Sequence, residues 1–198
     1  MLRRTHLRQL SYAVVFGALW GAVEMTAGGF FHIMRIPFSG ILLAAIGAMI
    51  LACQRSLCPV RGITLTTGFL VAGIKSFSVG GIYLSPLLAV LMEALLAEGI
   101  FCLLGATLLG AGLAGFAMGL WSLLQGLFKL MLLYGAEWVR VTADALGRSG
   151  SSWTVPPTIL ALFAALLFLS LPTSGGILGL WTGRRLLESV AGSAHINA

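Results

Sequence analysis

Four ionisable side chains lie in or beside stretches of the chain that are otherwise apolar. They are two carboxylates and two amines: Glu24, Glu93, Lys75 and Lys129. Ionisable groups at membrane depth are rare and costly, so each is a candidate functional residue that should have a partner. Together they can bind a small molecule with charged or hydrogen-bonding groups, or they can neutralise one another. The residues alone leave both interpretations open.

Three further residues near these groups are candidates for particular roles. Trp20 precedes Glu24 by about one helical turn and can either stack on a flat ligand or pack between helices. His32 follows the sequence GGFF and is either an interfacial residue or a ligand-binding residue. Glu98 comes five residues after Glu93, so in a helix it points about 140° away. A polar bridge to another helix is its expected role.

The chain lacks the residue patterns of an enzyme or a metal centre. Cys53, Cys58 and Cys102 do not have the paired C-x-x-C spacing of a metal site, so we expect them to be structural. No nucleophile–base pair and no H-E-x-x-H motif is evident, and no cofactor is implied. The phosphate-binding pattern G-x-x-x-x-G-K-[ST] is also absent, so a function driven by ATP would need partner subunits.

The composition is that of an integral membrane protein. Of the 198 residues, 59% are hydrophobic and 9% are charged, whereas soluble domains contain about 25% charged residues. Because a membrane-spanning helix needs about 20 apolar residues, the chain can form roughly five to seven of them. Most of the basic residues are arginines at predicted helix ends, so the net charge of +6 does not indicate nucleic-acid binding.

Long apolar runs, separated by glycine, proline and charged residues, predict a compact all-α membrane bundle in a single domain, residues 1–198. We expect six transmembrane helices, and Pro172 with the following TSGG should kink or break the last one. A stretch of mixed apolar and charged residues should form an amphipathic segment before that helix. The predicted helices are 10–29, 38–53, 63–77, 86–104, 106–124 and 156–185, and the amphipathic segment is 126–147.

The basic residues also predict the orientation. With both termini in the cytoplasm, six spans place most arginines on the inner side, in agreement with the positive-inside rule. The inner arginines are Arg3, Arg4, Arg8, Arg55, Arg61, Arg184 and Arg185, and the outer ones are Arg35, Arg140 and Arg148. In this orientation the four ionisable groups gather toward the outer face, where they would form a polar pocket open to the outside.

Small residues recur at every fourth position in the first predicted helix. Ala13, Gly17 and Gly21 share one face of this helix. Trp20 and Glu24 lie on the same side, within about 100° of arc. Such spacing lets two helices approach closely and is very common in membrane proteins. The carboxylate indicates that the outer part of this face looks into the bundle.

Three stretches of the sequence, FGALWGAVEMTAGGFFH, PFSG and LLAVLMEALLAEGIF, resemble the substrate-binding S components of energy-coupling factor (ECF) transporters. The likeness is one of layout and covers most of the chain. It implies a micronutrient substrate, namely a vitamin or a vitamin precursor, bound by helices and outer loops. It also implies a bacterial or archaeal cytoplasmic membrane and docking on a membrane T component that two ATPase subunits drive. The N-terminal MLRRTH departs from the Met-x-His start of the metal-transporting relatives, which disfavours cobalt or nickel.

In that family a small-x-x-x-small motif near the cytoplasmic end of the first helix contacts the T component. Ala13 and Gly17 occupy the matching positions here, and Gly21 continues the stripe. Docking would require these residues to face outward, whereas Glu24 should face inward. The stripe is therefore either a docking surface or internal packing.

Two other functions remain open on the residues. Glu24 could exchange a proton for a cationic substrate in a small proton-coupled transporter, although Lys75 and Lys129 on the same side disfavour cations. The glycine-rich helix faces also suit a membrane assembly or scaffold subunit. An integral membrane enzyme is the least supported class, since the sequence shows no catalytic pair.

Overall fold

Apolar runs with few charges form helices throughout the part of the chain that the structure describes. The computed structural model describes residues 2–34, 39–77, 84–149 and 157–196, and no strand occurs within these ranges. The helices are α1 Leu2–Ile33, α2 Ser39–Leu57, α3 Ile63–Ser76, α4 Leu84–Leu104, α5 Leu108–Ser149 and α6 Pro157–Ile196. The predicted all-α fold class is therefore confirmed.

All of these helices except α3 are long and apolar enough to cross a bilayer. The apolar α3 has only 14 residues, about 21 Å at 1.5 Å per residue, whereas a hydrocarbon core is about 30 Å thick. The chain is therefore a multi-pass membrane protein. Its third predicted span is a short helix, which packs against α1 and α4.

The fifth helix is longer than predicted. It does not end near residue 124 but continues through the predicted amphipathic segment to Ser149, with an interruption at Gly135. Gly135 has a φ of 62°, a left-handed conformation that glycine adopts without the steric cost of a side chain. The residues between 126 and 134 are mostly apolar and extend the helix, so the interruption falls at this glycine instead.

Pro172 does not break α6, which runs unbroken past it, contrary to the predicted alternative of a break. The hydroxyl of Thr173 donates to the carbonyl of Leu169 at 2.8 Å. The hydroxyl of Ser174 donates to the carbonyl of Leu171, also at 2.8 Å. These hydroxyl groups add hydrogen bonds to carbonyls next to the proline, and neighbouring helices also help membrane helices to tolerate proline.

The α2 helix lies at the centre of the bundle, because it contacts each of the other five helices. α6 runs parallel to α2, and Gly175 and Gly179 face successive turns of it. A side chain at these two glycines would collide with the backbone carbonyls of Ala45 and Met49, respectively. Glycine is therefore required for the close approach of the two helices.

A second close approach joins α5 to α6. The backbone of Pro172 occupies the space that a side chain at Gly115 would need. The ring of the same proline lies 2.6 Å from the position of a Cβ on Gly119. The two glycines on α5 therefore make room for the proline-containing turn of α6.

The bundle has an apolar core and a largely apolar outer surface. Trp20, Phe101 and Met118 are among the large side chains that are fully buried between the helices. Large apolar side chains also face outward, for example Val15, Phe69, Leu95, Leu132 and Leu166. Water solvates an apolar surface of this extent poorly, whereas lipid chains solvate it well.

The two ends of the bundle differ in charge. One end, here called the arginine end, contains the start of α1, the α2–α3 turn, the α4–α5 turn and the last turns of α6. All seven arginines that were predicted to lie inside belong to these segments. The opposite end contains the last turns of α1 and α3 and the starts of α2 and α4. We expect the arginine end to face the cytoplasm.

Candidate functional site

A polar cavity of about 160 Å³ lies toward the end of the bundle opposite the arginines. It forms where the last turns of α1 and α3 meet the starts of α2 and α4 and the middle of α5. Its walls are Glu24, Ser39, Gly40, Leu43, Lys75, Pro86, Ala89, Val90, Glu93, Ser122, Gln125 and Lys129. Polar and apolar groups therefore share the lining.

The cavity brings together the four ionisable residues that the sequence singled out. Each comes from a different helix: Glu24 from α1, Lys75 from α3, Glu93 from α4 and Lys129 from α5. Helical periodicity places Glu24 on the inner face of α1, but the meeting of all four depends on which helices are neighbours. Their contacts show how far they neutralise one another.

Glu24 and Lys75 form a direct ion pair. The Nζ of Lys75 donates to Oε2 of Glu24 at 2.5 Å, and their side chains are 19% and 3% exposed. A buried pair is costly to break, because the charge that remains has no counter-charge. These two residues therefore neutralise each other, as one of the two open interpretations expects.

Glu93 differs from Glu24, although both are buried. It is 5% exposed, it borders the cavity, and it receives no hydrogen bond from any residue that the structure describes. The enclosed polar side-chain atoms without a partner in the described residues are the Nε1 atoms of Trp20 and Trp121, so the carboxyl oxygens of Glu93 are open to the cavity. Glu93 is therefore the carboxyl group of the site that water or a ligand in the cavity can reach.

Lys129 stands at the exposed edge of the cavity. Together with Ser122 and Gln125 it forms an i, i+3, i+7 row on one face of α5, in a run that is otherwise apolar. The sequence analysis missed Ser122 and Gln125. This row of polar residues is the signal that could have identified them. Ser39 was also missed, because a serine at a helix start is ordinary.

Gly40 has a specific part in closing the cavity. The Oγ of Ser122 lies 2.5 Å from the position that a Cβ on Gly40 would occupy. The start of α2 therefore lies close to α5 at Gly40, and a side chain there would displace the Ser122 hydroxyl. This contact brings Ser39 and Gly40 to the same site as the polar row of α5.

The structure does not place Trp20 in the cavity. Its side chain is fully buried in the core, with ring atoms 3.1 Å from the position of a Cβ on Gly47 of α2. Its Nε1 has no hydrogen-bond partner among the described residues. The packing interpretation of Trp20 therefore replaces the stacking one. His32 belongs to the last turn of α1, and its side chain lies outside the described part of the chain.

The stripe of small residues on α1 is internal packing, and its predicted docking role does not agree with this position. Ala13, Gly17 and Gly21 are all buried. A Cβ on Gly17 would lie 3.2 Å from the Cβ of Leu70, and one on Gly21 would lie 3.0 Å from Ile74. The stripe therefore packs against α3. It lies on the same face of α1 as the inward-pointing Glu24.

The polar bridge predicted for Glu98 is confirmed. Its carboxylate accepts the backbone N–H groups of Gly62 at 2.6 Å and of Thr64 at 3.1 Å, and the Thr64 hydroxyl also donates to it. Arg55 at the end of α2 pairs with it at 3.3 Å. Because helix N-termini favour negative charge, Glu98 caps α3 while it joins α4 to α2.

Arg55, which the sequence analysis assigned to the inner side, is buried. It is 4% exposed and donates to the carbonyls of Val60 and Phe101 as well as to Glu98. The arginine end is therefore fastened by a buried polar network. The three cysteines are free, and no group of His, Cys, Asp and Glu suited to a metal occurs among the described residues.

The fold and the cavity together define an all-helical, multi-pass membrane protein with a polar site toward one end of the bundle. Comparisons with protein-family models, with curated proteins and with solved structures give no match to this chain. The resemblance to ECF S components therefore rests on the three sequence stretches and on the layout of the helices.

Proposed function

We propose that this chain is the substrate-binding subunit of an ECF-type uptake transporter and that its polar cavity holds a micronutrient such as a vitamin or a vitamin precursor. One observation carries the proposal. Glu93 is a buried carboxyl group at a cavity that four helices line with ionisable side chains, and no described residue donates a hydrogen bond to it. A carboxyl group that faces a cavity and receives no hydrogen bond from a described residue is available to a ligand, and convergent polar groups in a pocket are typical of binding sites.

The position and the size of the cavity support uptake of a small molecule. The cavity lies toward the end opposite the arginines, which the positive-inside rule assigns to the outer face. Its volume of about 160 Å³ is below the ~300–1,000 Å³ of pockets that enclose drug-sized ligands. The substrate is therefore small, or it inserts only one polar part between the helices.

The proposal includes the partners that the resemblance implies: a membrane T component and two ATPase subunits, in a bacterial or archaeal cytoplasmic membrane. The sequence contains no nucleotide-binding loop, so the energy for transport would come from those partners. Because Ala13 and Gly17 are packed inside the bundle, docking would use another part of the surface.

The alternative functions are less well supported by the packing. A proton-coupled transporter using Glu24 would first have to displace Lys75, which already supplies that carboxylate with a cation. A scaffold subunit needs free helix faces, whereas the glycines at 175 and 179 are covered by α2 within the chain itself. Both observations favour a binding subunit.

Co-purification tests the proposal. The tagged full chain, isolated from its native membrane in a mild detergent, is expected to recover a membrane T component and two ATPases. Denaturing the preparation should release a small molecule that mass spectrometry can identify. Transport by the chain alone in proteoliposomes would contradict the proposal in favour of a proton-coupled transporter. Recovery of other partners without any ligand would favour a scaffold.

A further inference from the structure

We propose that the ligand of this cavity is a small zwitterion whose cationic group binds at Glu93 and whose anionic group binds at Lys129. The inference rests on the proposed function, because it names the chemical class of substrate for the same site. It follows from which charges the bundle itself neutralises and from where the remaining charges lie.

The ion pair between Glu24 and Lys75 neutralises one negative and one positive charge of the cavity. The two ionisable residues that remain at the cavity are Glu93 and Lys129, which are of opposite sign. They form no ion pair with each other or with another described residue. A ligand that pairs with both residues would carry a positive group and a negative group.

The burial of the two residues sets the orientation of the ligand. Glu93 is 5% exposed, whereas Lys129 is exposed. On α4 the lining begins at Pro86 in the first turn, and Glu93 lies seven residues further in, about 10 Å at 1.5 Å per residue. On α5, Lys129 is the lining residue furthest toward the outer end. The cationic group of the ligand therefore points inward and the anionic group lies at the mouth.

The volume limits the distance between the two charges. A cavity of about 150 Å³ is large enough for a molecule of the size of benzene. At about 160 Å³ this cavity therefore accommodates a small molecule, for example an ammonium group on a short carbon chain. The hydroxyls of Ser39 and Ser122 in the wall offer further hydrogen bonds to such a molecule.

Three probes with one carbon skeleton test the inference: 4-aminobutanoate, butylamine and butanoate. Their binding to the purified full chain in lipid nanodiscs is measured by calorimetry and by ligand-induced thermal stabilisation. We expect 4-aminobutanoate to bind most tightly and at least about tenfold more tightly than butanoate, because only the amine can form a charge-assisted hydrogen bond with Glu93. Butylamine should rank between them.

Two variants separate the two charged groups. Glu93→Gln should weaken binding of both amines by about tenfold and leave butanoate unchanged. Lys129→Met should weaken the binding of 4-aminobutanoate by only about twofold to fivefold, since the lysine is exposed. It should not affect the binding of butylamine, which has no anionic group. Glu188→Gln, which removes an exposed carboxylate of α6 far along the chain from the cavity, is the matched control and should bind like the wild type. Melting curves of each variant check that it is folded.

The outcomes distinguish this inference from the proposed function. Butanoate binding as tightly as 4-aminobutanoate, or an unchanged preference for amines in Glu93→Gln, would overturn the zwitterion and leave a binding subunit in place. If no probe binds, the small molecule released from the natively purified protein decides. One with both a basic and an acidic group supports the inference, and one lacking either group overturns it. If no probe binds and no molecule is released, the proposed function fails, and the inference fails with it.

Discussion

Lys75 has two carboxylates near it at the cavity, and it pairs with Glu24 and not with Glu93. This pairing leaves Glu93 as the carboxyl group that a ligand can satisfy. At the arginine end, the buried carboxylate of Glu98 already has partners within the bundle. They are Arg55 and the N-terminus of α3. Glu24 and Glu98 are therefore both paired within the bundle, whereas Glu93 faces the cavity.

The pairing of Lys75 can be tested by double substitution. Lys75→Met should lower the free energy of unfolding by about 3–5 kcal/mol, because Glu24 is then left as a buried charge without a partner. Adding Glu24→Gln should recover most of the loss, whereas adding Glu93→Gln should not. Denaturant unfolding of the purified chain in detergent measures all three. Recovery with the Glu93 substitution instead would show that the pair had been assigned to the wrong carboxylate.

The polar network at the arginine end makes a second prediction. Glu98→Gln removes the charge that faces Arg55, which is 4% exposed, and we expect a loss of about 3–5 kcal/mol in unfolding free energy. Glu188→Gln changes an exposed carboxylate on α6 and should stay within about 0.5 kcal/mol of the wild type. The same unfolding assay compares them. Equal stability of the two variants would contradict the bridging role of Glu98.

At the scale of elements, close helix approach organises the bundle. α6 lies so near to α2 that the carbonyls of Ala45 and Met49 occupy the space of side chains at Gly175 and Gly179. In the same way, Pro172 occupies the space that side chains at Gly115 and Gly119 of α5 would need. Packing of small residues supplies contact energy where the hydrophobic effect between helices is weak, as it is in lipid.

Because α2 and α6 lie in close contact, we expect alanine substitutions at two glycines of α6, Gly179 and Gly192, to differ greatly in their effect on stability. Gly179→Ala should destabilise the protein by at least about 1–3 kcal/mol, because the added methyl group meets backbone that cannot rotate away. Gly192→Ala adds a methyl group with nothing within 4 Å, and it should be neutral or stabilising by up to about 1 kcal/mol. Thermal melting in detergent provides the comparison. Similar effects of the two changes would mean that the helices do not approach closely at residue 179.

The small-residue face of α1 predicts a folding defect and not a docking defect. Gly17→Leu should separate α1 from α3 and lower both stability and the yield of monodisperse protein, because even a Cβ at this position would lie 3.2 Å from the Cβ of Leu70. Ala18→Leu, one position away on the exposed face, is the control and should be tolerated. Size-exclusion chromatography and melting curves report the difference. A folded Gly17→Leu protein that binds ligand but loses its partners would restore the docking interpretation.

At the scale of the whole molecule, the two ends of the bundle are built differently. The arginine end is fastened by buried polar bonds between α2, α3 and α4. The opposite end holds the cavity, which lies between the ends of four helices and the middle of α5. Among the described residues, the ion pair between Lys75 and Glu24 joins α3 to α1 at that end.

The orientation of the molecule is tested by cysteine labelling in intact cells. In a Cys102→Ser background, which removes the exposed cysteine, Arg61→Cys should resist a membrane-impermeant maleimide until the cells are opened. Arg148→Cys, in the helical segment after Gly135, should react at once. The expectation follows from the arginine bias between the two ends. Labelling of the cysteine at position 61 in intact cells would invert the topology and place the cavity on the cytoplasmic side.

Composition and local pattern were sufficient to predict the class of the protein and most of its helices. Backbone groups in lipid must be satisfied within the segment, so apolar runs of this length predict helices whatever surrounds them. The inner placement of Glu24 and the bridging role of Glu98 also follow from helical periodicity, which is a local property. The interruption at Gly135 was not predicted, and the choice between a kink and a break at Pro172 was left open, because both depend on contacts that differ from one site to the next.

The sequence by itself thus determined a helical membrane bundle with ionisable groups near one end. The tertiary structure decided which groups meet: Lys75 with Glu24, Arg55 with Glu98, and the small face of α1 with α3. It also decided that Trp20 lies in the core and that Glu93 borders the cavity without a hydrogen bond from a described residue. The physical reason is that burial and pairing depend on which helices become neighbours. Residue spacing within one helix determines which face a side chain occupies, but it does not determine which other helix that face will contact.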